Sequence, residues 1–452
     1  MPPRQSNRSH ARRAILEKTA FACSRTFYNG SDYMGLENEG SVAAREIELR
    51  LSDLSAPADP YVRYAELRAQ ARLHRIQLPD GRMAWLVTRY EDIAAILLDH
   101  DHFSNRAMVS QTGDLPRLSP RAAEVMSLFG LIMSSSDPPD HARLRGLVEK
   151  AFARPLVADL RPYIQALSDE LLDAVEVRAR ATGRRTVDLV ADYGFPLPAA
   201  VIMQLLGVPP EDRDSIRRWS ELLMKFDRSP QSAEDLGPEI SGFISYVRTL
   251  LDQKRRHPGN DLLSNLAHGS EDGRLTDLEL VSLTFQLIFA GHSTTSHLIA
   301  NGILALLTHP GQLQKLRAEP LLIGSAIEEL LRYDSPQQMR ARLAITDVEV
   351  GGVRIGKGEV LLLLLASGNR DPHRFYAPDE LDITRRDNRH LSFGLGIHGC
   401  FGIPLARLEG EIAIMTVLRR MPGLSLAVPV EQLKWSPSGL HQRGPAALPL
   451  SF

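Results

Sequence analysis

The sequence predicts a mainly α-helical, single-domain protein with a small β region, and three observations carry that reading. Apolar residues recur at helical spacing over much of the chain, at 141–153, 156–178, 196–206, 212–227, 237–256, 276–308, 311–317 and 321–333. Strand-like runs are few and short. No Gly/Ser-rich linker and no internal repeat divides residues 56–452. With 452 residues, 43% hydrophobic and 24% charged, the chain is long enough to bury a large core. Its 53 basic and 55 acidic side chains give a net charge of −2, which argues against nucleic-acid binding as its main business.

Residues 1–44 stand apart as a loosely ordered extension, with Arg4, Arg8, Arg12, Arg13 and Lys18 at the front and little apolar periodicity. A targeting peptide, or a start chosen upstream of a better initiator at Met34, are the alternatives for this segment. Globular structure is expected from Asp59, with a helical Tyr64-Ala65-Glu66-Leu67, a strand over 84–88 and a helix over 90–98. Residues 104–140 lack a period and carry Gly113, Pro116, Pro120, Pro138 and Pro139, so a long functional loop or short-helix region is expected. Two or three short strands follow within 341–365, punctuated by Gly351-Gly352 and Gly356-Lys357-Gly358.

The nearest approach to the about 18 apolar residues of a membrane span is 283–307. Gln286, His292, His297 and Asn301 interrupt it, so it reads as a helix buried inside protein, and no membrane association is expected. Two cysteines, Cys23 and Cys400, with no CxxC pair, exclude a disulfide scaffold and point to a reducing, cytoplasmic location. No secretory signal pattern is read at the start.

The most specific segment is Phe393-Gly394-Leu395-Gly396-Ile397-His398-Gly399-Cys400-Phe401-Gly402, followed at once by an amphipathic helix over 405–420. Four glycines in ten residues let a backbone approach something flat and large. A cysteine at the mouth of a helix has its thiolate stabilised by unpaired N–H groups, which lowers its pKa and makes it a ligand or a nucleophile. Iron suits it, because a heme thiolate pushes electron density onto the metal and favours O–O cleavage.

This segment resembles the heme-binding signature of the cytochrome P450 family, F-G-x-G-x-H-x-C-x-G, at every fixed position. The resemblance covers about 56–452 and implies the cytochrome P450 fold, with heme b held by Cys400 as the metal ligand and Phe393 and Gly402 around it. Glu329-Leu330-Leu331-Arg332, about 70 residues earlier, resembles the family's E-x-x-R and implies a buried structural network. Ala290-Gly291-His292-Ser293-Thr294-Thr295 is similar to the oxygen-binding groove, where Gly291 costs about 1 kcal/mol relative to Ala and a threonine bonds back one turn. There Thr294 would hold water and dioxygen during proton delivery, and Ser293 departs from the acid usual before that threonine. The heme propionates are matched with His141 and Arg145 on one side and Arg342 and His398 on the other.

The reaction so implied is monooxygenation of a small organic substrate, a hydroxylation or epoxidation in secondary metabolism. Electrons would come from NAD(P)H through ferredoxin and ferredoxin reductase docking near Arg143 and Arg407, and the protein would act as a monomer. The resemblance places the loop at 106–133, the region 218–240, Gln286, Phe289, Ala290 and 337–340 at the substrate pocket. Burying Gln286, Gln337 and Arg340 unpaired would be costly, so a substrate with amide, hydroxyl or carboxylate groups is expected, which favours natural-product tailoring. Ser293 leaves open an oxidative coupling or peroxide-driven reaction on the same fold. A non-catalytic heme sensor is the remaining alternative.

Overall fold

The computed structural model describes residues 42–54, 59–78, 81–106, 119–223, 230–271, 275–436 and 441–452. Nearly all of the expected extension, including Cys23 and Met34, lies outside the described residues, as do 107–118 and 224–229 of the expected pocket segments. Within them the chain begins in a sheet. β1 (Val42–Arg50) runs parallel to β2 (Ala71–Gln77), and β2 pairs antiparallel with β3 (Met83–Val87). Helix α1 (Tyr61–Gln70) connects the first two strands, and α2 (Tyr90–Leu98) and β4 (Phe103–Ser104) follow the third.

The sheet therefore begins upstream of residue 56. β2 was hidden because its alternation is imperfect: Leu73 and Ile76 are buried, but so is His74, whose ring bonds the Leu67 carbonyl at 2.9 Å. Its outward arginines find acids far along the chain, Arg72 on Asp92 and Arg75 on Glu359.

The helical body comprises α3 (Pro120–Gly130), α4 (Asp140–Val148), α5 (Arg161–Thr182), α6 (Pro196–Leu206), α7 (Arg213–Leu223), α8 (Pro230–Arg256), α9 (Leu262–Glu271) and α10 (Asp277–Thr308), with a short strand β5 (Thr186–Asp188) between α5 and α6. Helix α3 occupies part of the segment expected as loop or short helices. Ser119 caps it, its Oγ accepting from the Ala122 N–H at 3.2 Å, and Pro120 fits the first turn, where no N–H is needed. After α11 (Ile323–Tyr333) come β6 (Arg340–Ala344), β7 (Val348–Val350), β8 (Val353–Ile355) and β9 (Val360–Leu363), four strands where two or three were expected. β9 and β6 complete the main sheet in the order β1-β2-β3-β9-β6-β4.

Helix α10 is the spine. Its 32 residues span about 48 Å at 1.5 Å per residue. A reciprocal capping box starts it: Thr276 Oγ1 accepts from the Glu279 N–H at 3.2 Å, and the Glu279 carboxylate accepts from the Thr276 N–H at 2.8 Å. Gly291 serves packing: a Cβ there would lie 2.6 Å from Ile202, so its absence lets α6 approach. The final long helix, α12 (Ile403–Arg420), meets α10 in the same chain direction. A Cβ on Gly410 would reach Leu298 at 3.0 Å and one on Gly302 would reach Ile414 at 2.9 Å, which aligns 410 with 298 and 414 with 302. No helix among the described residues is long and apolar enough to cross a membrane.

Candidate active site

The loop between β9 and α12 brings Cys400 to the first turn of α12. Gly394 and Gly396 adopt φ of +67° and +70°, the left-handed region that side chains disfavour, and a Cβ on Gly396 would lie 2.6 Å from the Leu97 carbonyl oxygen. The Cys400 N–H donates to the Phe393 carbonyl at 2.9 Å, closing the loop. Protein surrounds the thiol on nearly every side, yet Cys400 keeps open surface.

Burial pushes the Cys400 thiol above its ordinary pKa. The N–H groups of Gly402 and Ile403 and the charges of Arg340 and Arg145 pull the other way without winning. The depressed pKa expected from the helix mouth is thus outweighed by desolvation, and a bound metal cation is what would hold this sulfur as thiolate. The half-buried Phe393 ring lies 5.6 Å from His390 and 5.6 Å under the Arg407 guanidinium.

Beside the loop, α4 and β6 bring side chains up to His398 and build a wall whose charges are arginines. His141 on α4 lies with its ring centroid 4.2 Å from that of His398. Arg145, one turn further on α4, donates to the Ile397 and Gly399 carbonyls at 2.6 and 2.7 Å and so also clamps the cysteine loop. Arg342 and Arg340 are two apart on β6 and share a face. Burial lowers the Arg342 pKa to about 10, with help from Arg340, and the His398 pKa to about 3, with help from His141 and Arg342. His398 Nδ1 is buried with no hydrogen-bond partner. The nearby Asp137 already accepts from Ser104 Oγ and the Asn105 N–H. Such a wall fits a dianionic group, and with the glycine loop and thiol it fits heme carrying two propionates.

On α10, every residue from 280 to 306 is buried except Gln286, Phe289, Ala290, Gly291 and Thr294. These fall on one stripe at helical spacing. Thr294 Oγ1 donates back to the Ala290 carbonyl at 3.3 Å. Ser293 points elsewhere, its Oγ donating to Gln442 Oε1. His292 does not turn toward the stripe: its Nδ1 bonds the Ile288 carbonyl at 2.7 Å, its ring packs on Phe195, and burial lowers its pKa to about 4.

The polar-pocket expectation needs correction at Gln337. It is buried but satisfied by protein, its Nε2 donating to the Met339 and His441 carbonyls at 2.8 and 2.6 Å. Gln286 Oε1 accepts from the Ser134 N–H at 3.3 Å, and Arg340 is exposed at the edge of the cationic wall. Arg143 and Arg407 are both ion-paired, to Glu279 and Glu328 respectively, the latter at 2.6 Å.

Glu329 and Arg332 are both fully buried and joined by two 2.8 Å hydrogen bonds. Arg332 also donates to the Asn369, Pro378 and Glu380 carbonyls, while Glu329 accepts from Arg385, Asn388 and the Asp382 N–H. Sequence reasoning missed Arg385 and Gln442, which carry no local pattern and reach the site only through the tertiary fold.

A thiol on a glycine loop, a cationic wall beside it and an open stripe on a long buried helix define a heme-thiolate protein. The family model described as Cytochrome P450 matches residues 219–422. The chain is 42% identical over 398 residues to Cytochrome P450 monooxygenase PikC of Streptomyces venezuelae, covering 87% of this chain and 91% of that one. It is 41% identical to Vitamin D(3) 25-hydroxylase of Pseudonocardia autotrophica, covering 87% and 94%. Among solved structures, the cytochrome P450 enzyme CxnD for C–S bond formation in chuangxinmycin biosynthesis superposes with a TM-score of 0.79 at 35% identity, covering 89% and 97%. The chain belongs to the cytochrome P450 family and is an oxidoreductase of its monooxygenase type.

Proposed function

We propose that the protein binds heme b through Cys400 and transfers one oxygen atom from O2 to a small natural-product-like substrate. When bound, the heme supplies the redox chemistry that activates dioxygen, and the thiolate ligand favours O–O cleavage. The observation that carries this reading is the coexistence of an accessible thiol at the mouth of α12 with the open stripe on an otherwise buried α10. Arg342, His398 and His141 would hold the propionates, and Arg145 holds the loop carbonyls in register. Thr294 presents a hydroxyl able to hold water and pass a proton at Oγ1, next to the carbonyl of Ala290. Phe289 and Ala290 offer apolar contact along the stripe, and Gln286 and the exposed Arg340 offer polar contacts, which suits a mainly apolar substrate bearing one acceptor or acidic group.

Electrons come from NAD(P)H through ferredoxin and its reductase, and the protein acts as a cytoplasmic monomer. Docking on the cysteine side would use Arg143 and Arg407, each of which is ion-paired within the protein. A second reading, oxidative coupling or peroxide-driven chemistry, draws support from the Ser293 hydroxyl being turned to Gln442 instead of the groove.

The reduced carbon-monoxide complex should show the long-wavelength Soret band of thiolate ligation and lose it in Cys400→His; retention of the band in that variant would overturn the ligand assignment. A screen of small molecules for shifts in the heme spectrum, followed by product mass, identifies the substrate class. With a turned-over substrate, Thr294→Ala should divert reducing equivalents into peroxide. Unchanged product per NAD(P)H would favour the second reading.

A further inference from the structure

Resting on the reading of Thr294 above, we propose that Gln442 is a positioning residue of the distal groove: through Ser293 its side-chain amide latches the C-terminal turn at 441–445 to the turn of α10 that carries Thr294. The C-terminal turn is also held elsewhere, by backbone bonds and by side chains: Arg443 Nε donates to Asp334 Oδ1 at 3.0 Å and Gln337 Nε2 to the His441 carbonyl at 2.6 Å. The Gln338 N–H donates to the His441 carbonyl at 3.0 Å, the Arg443 N–H to the Pro336 carbonyl at 2.9 Å, and Gln337 and Gln442 form a β-bridge. Further along α10, Asn301 Nδ2 donates to the Arg443 carbonyl at 3.0 Å. A Cβ on Gly444 would lie 2.2 Å from the His297 ring, so only glycine lets the turn approach so closely. At the level of Thr294 the link is a side-chain one, from Ser293 Oγ to Gln442 Oε1.

The chemistry follows from the donor inventory. A serine hydroxyl has one proton, and here it is committed to Gln442. Residue 293 is then an anchor, not a proton source, and the position where the family resemblance expects an acid is filled by a neutral hydroxyl–amide pair. Losing the pair frees the turn at 441–445 to move against α10 and lets the backbone around 290–294 relax, which would spoil the placement of the Thr294 hydroxyl. An amide is ambivalent, since it can turn its Nε2 toward a carboxylate. Ser293→Asp should therefore keep the latch, whereas adding Gln442→Glu would set two carboxylates against each other and open it.

The test uses the heme-loaded, full-length protein and amide hydrogen exchange at Arg443 and Gln338. Ser293→Ala and Gln442→Ala should each raise exchange there about tenfold, the scale of one net hydrogen bond, and the double variant should be no worse than either single one. Ser293→Asp should exchange like the parent, and Ser293→Asp with Gln442→Glu should exchange faster than either alanine variant. Peroxide formed per NAD(P)H, with a surrogate ferredoxin and reductase, should rise several-fold in the variants with fast exchange and stay at the parent value in Ser293→Asp. Unchanged exchange in Ser293→Ala, additive effects in the double variant, or fast exchange without a rise in peroxide would each overturn the proposal. Failure of the underlying reading is distinguishable, because Thr294→Ala would then leave peroxide unchanged in the parent background.

Discussion

Two charged regions of the molecule are built on opposite plans. Around Glu329 and Arg332, each charge is fully buried and its partners are protein: Arg385, Asn388 and backbone groups between Asn369 and Asp382. Around Arg342 and His398, the Arg342 guanidinium faces that of Arg340, burial depresses the Arg342 pKa and keeps the His398 ring neutral, and His398 Nδ1 has no partner. The first region is complete as protein, and the second is complete only with an anionic ligand. A buried polar cluster thus signals a binding site by what it leaves unpaired.

The largest expected effect comes from breaking the complete region. Glu329→Gln removes the charge that faces both Arg332 and Arg385, and stability to urea should fall by about 3–5 kcal/mol, the usual consequence of leaving a buried ion unpaired. Heme content should fall with it. A loss below about 1 kcal/mol would mean that the network holds no buried charge.

The comparison sharpens in the second region. Arg342→Leu should leave the urea stability of the heme-free protein equal or higher, since like charges are relieved. It should weaken heme retention about 10- to 100-fold, the equivalent of about 1.5–3 kcal/mol for a charge-assisted hydrogen bond. Heme transfer to an excess of apomyoglobin measures this. Equal destabilisation with and without heme would erase the contrast between the two regions.

A smaller effect separates buried from surface carboxylates. Glu409 on α12 is fully buried, neither oxygen has a hydrogen-bond partner, and burial raises its pKa well above 4.5. The folded state then holds a proton that the unfolded state releases, so Glu409 makes stability fall as pH rises above about 4.5. Glu409→Gln should flatten that slope in urea titrations between pH 5 and 8, about 5 and 8 being the range where folded proteins are usually most stable.

The smallest concerns Glu328. Burial opposes its ionisation, but the nearby His390 ring, 3.4 Å away, and the paired hydrogen bonds from Arg407 prevail and hold its pKa down at about 2. Its contribution is present above about pH 4.5 and is lost as pH falls toward 2. Because this pair is part-exposed, Arg407→Ala should lower stability by about 0.5–1 kcal/mol at pH 7 and by less at pH 3.

Periodicity and local spacing determined much by themselves. The helices over 196–206, 276–308 and 321–333 follow from apolar positions that recur every three or four residues, a signal wholly contained in each segment. Cys400 in its glycine loop and Glu329 with Arg332 were legible for the same reason, since the groups that matter lie within ten residues of one another. β1 and β2 were not, because a strand's partners are remote and its burial pattern depends on them. Nor could spacing reveal that Gln337 is satisfied by the His441 carbonyl, that Gly291 makes room for Ile202, or that Ser293 meets Gln442 across 149 residues. Contacts of that range are chosen by how the helices and the C-terminal turn pack together. Hence the sequence alone determined the helical body and the ligand loop, while only the tertiary structure decided which polar groups are left for a ligand to satisfy.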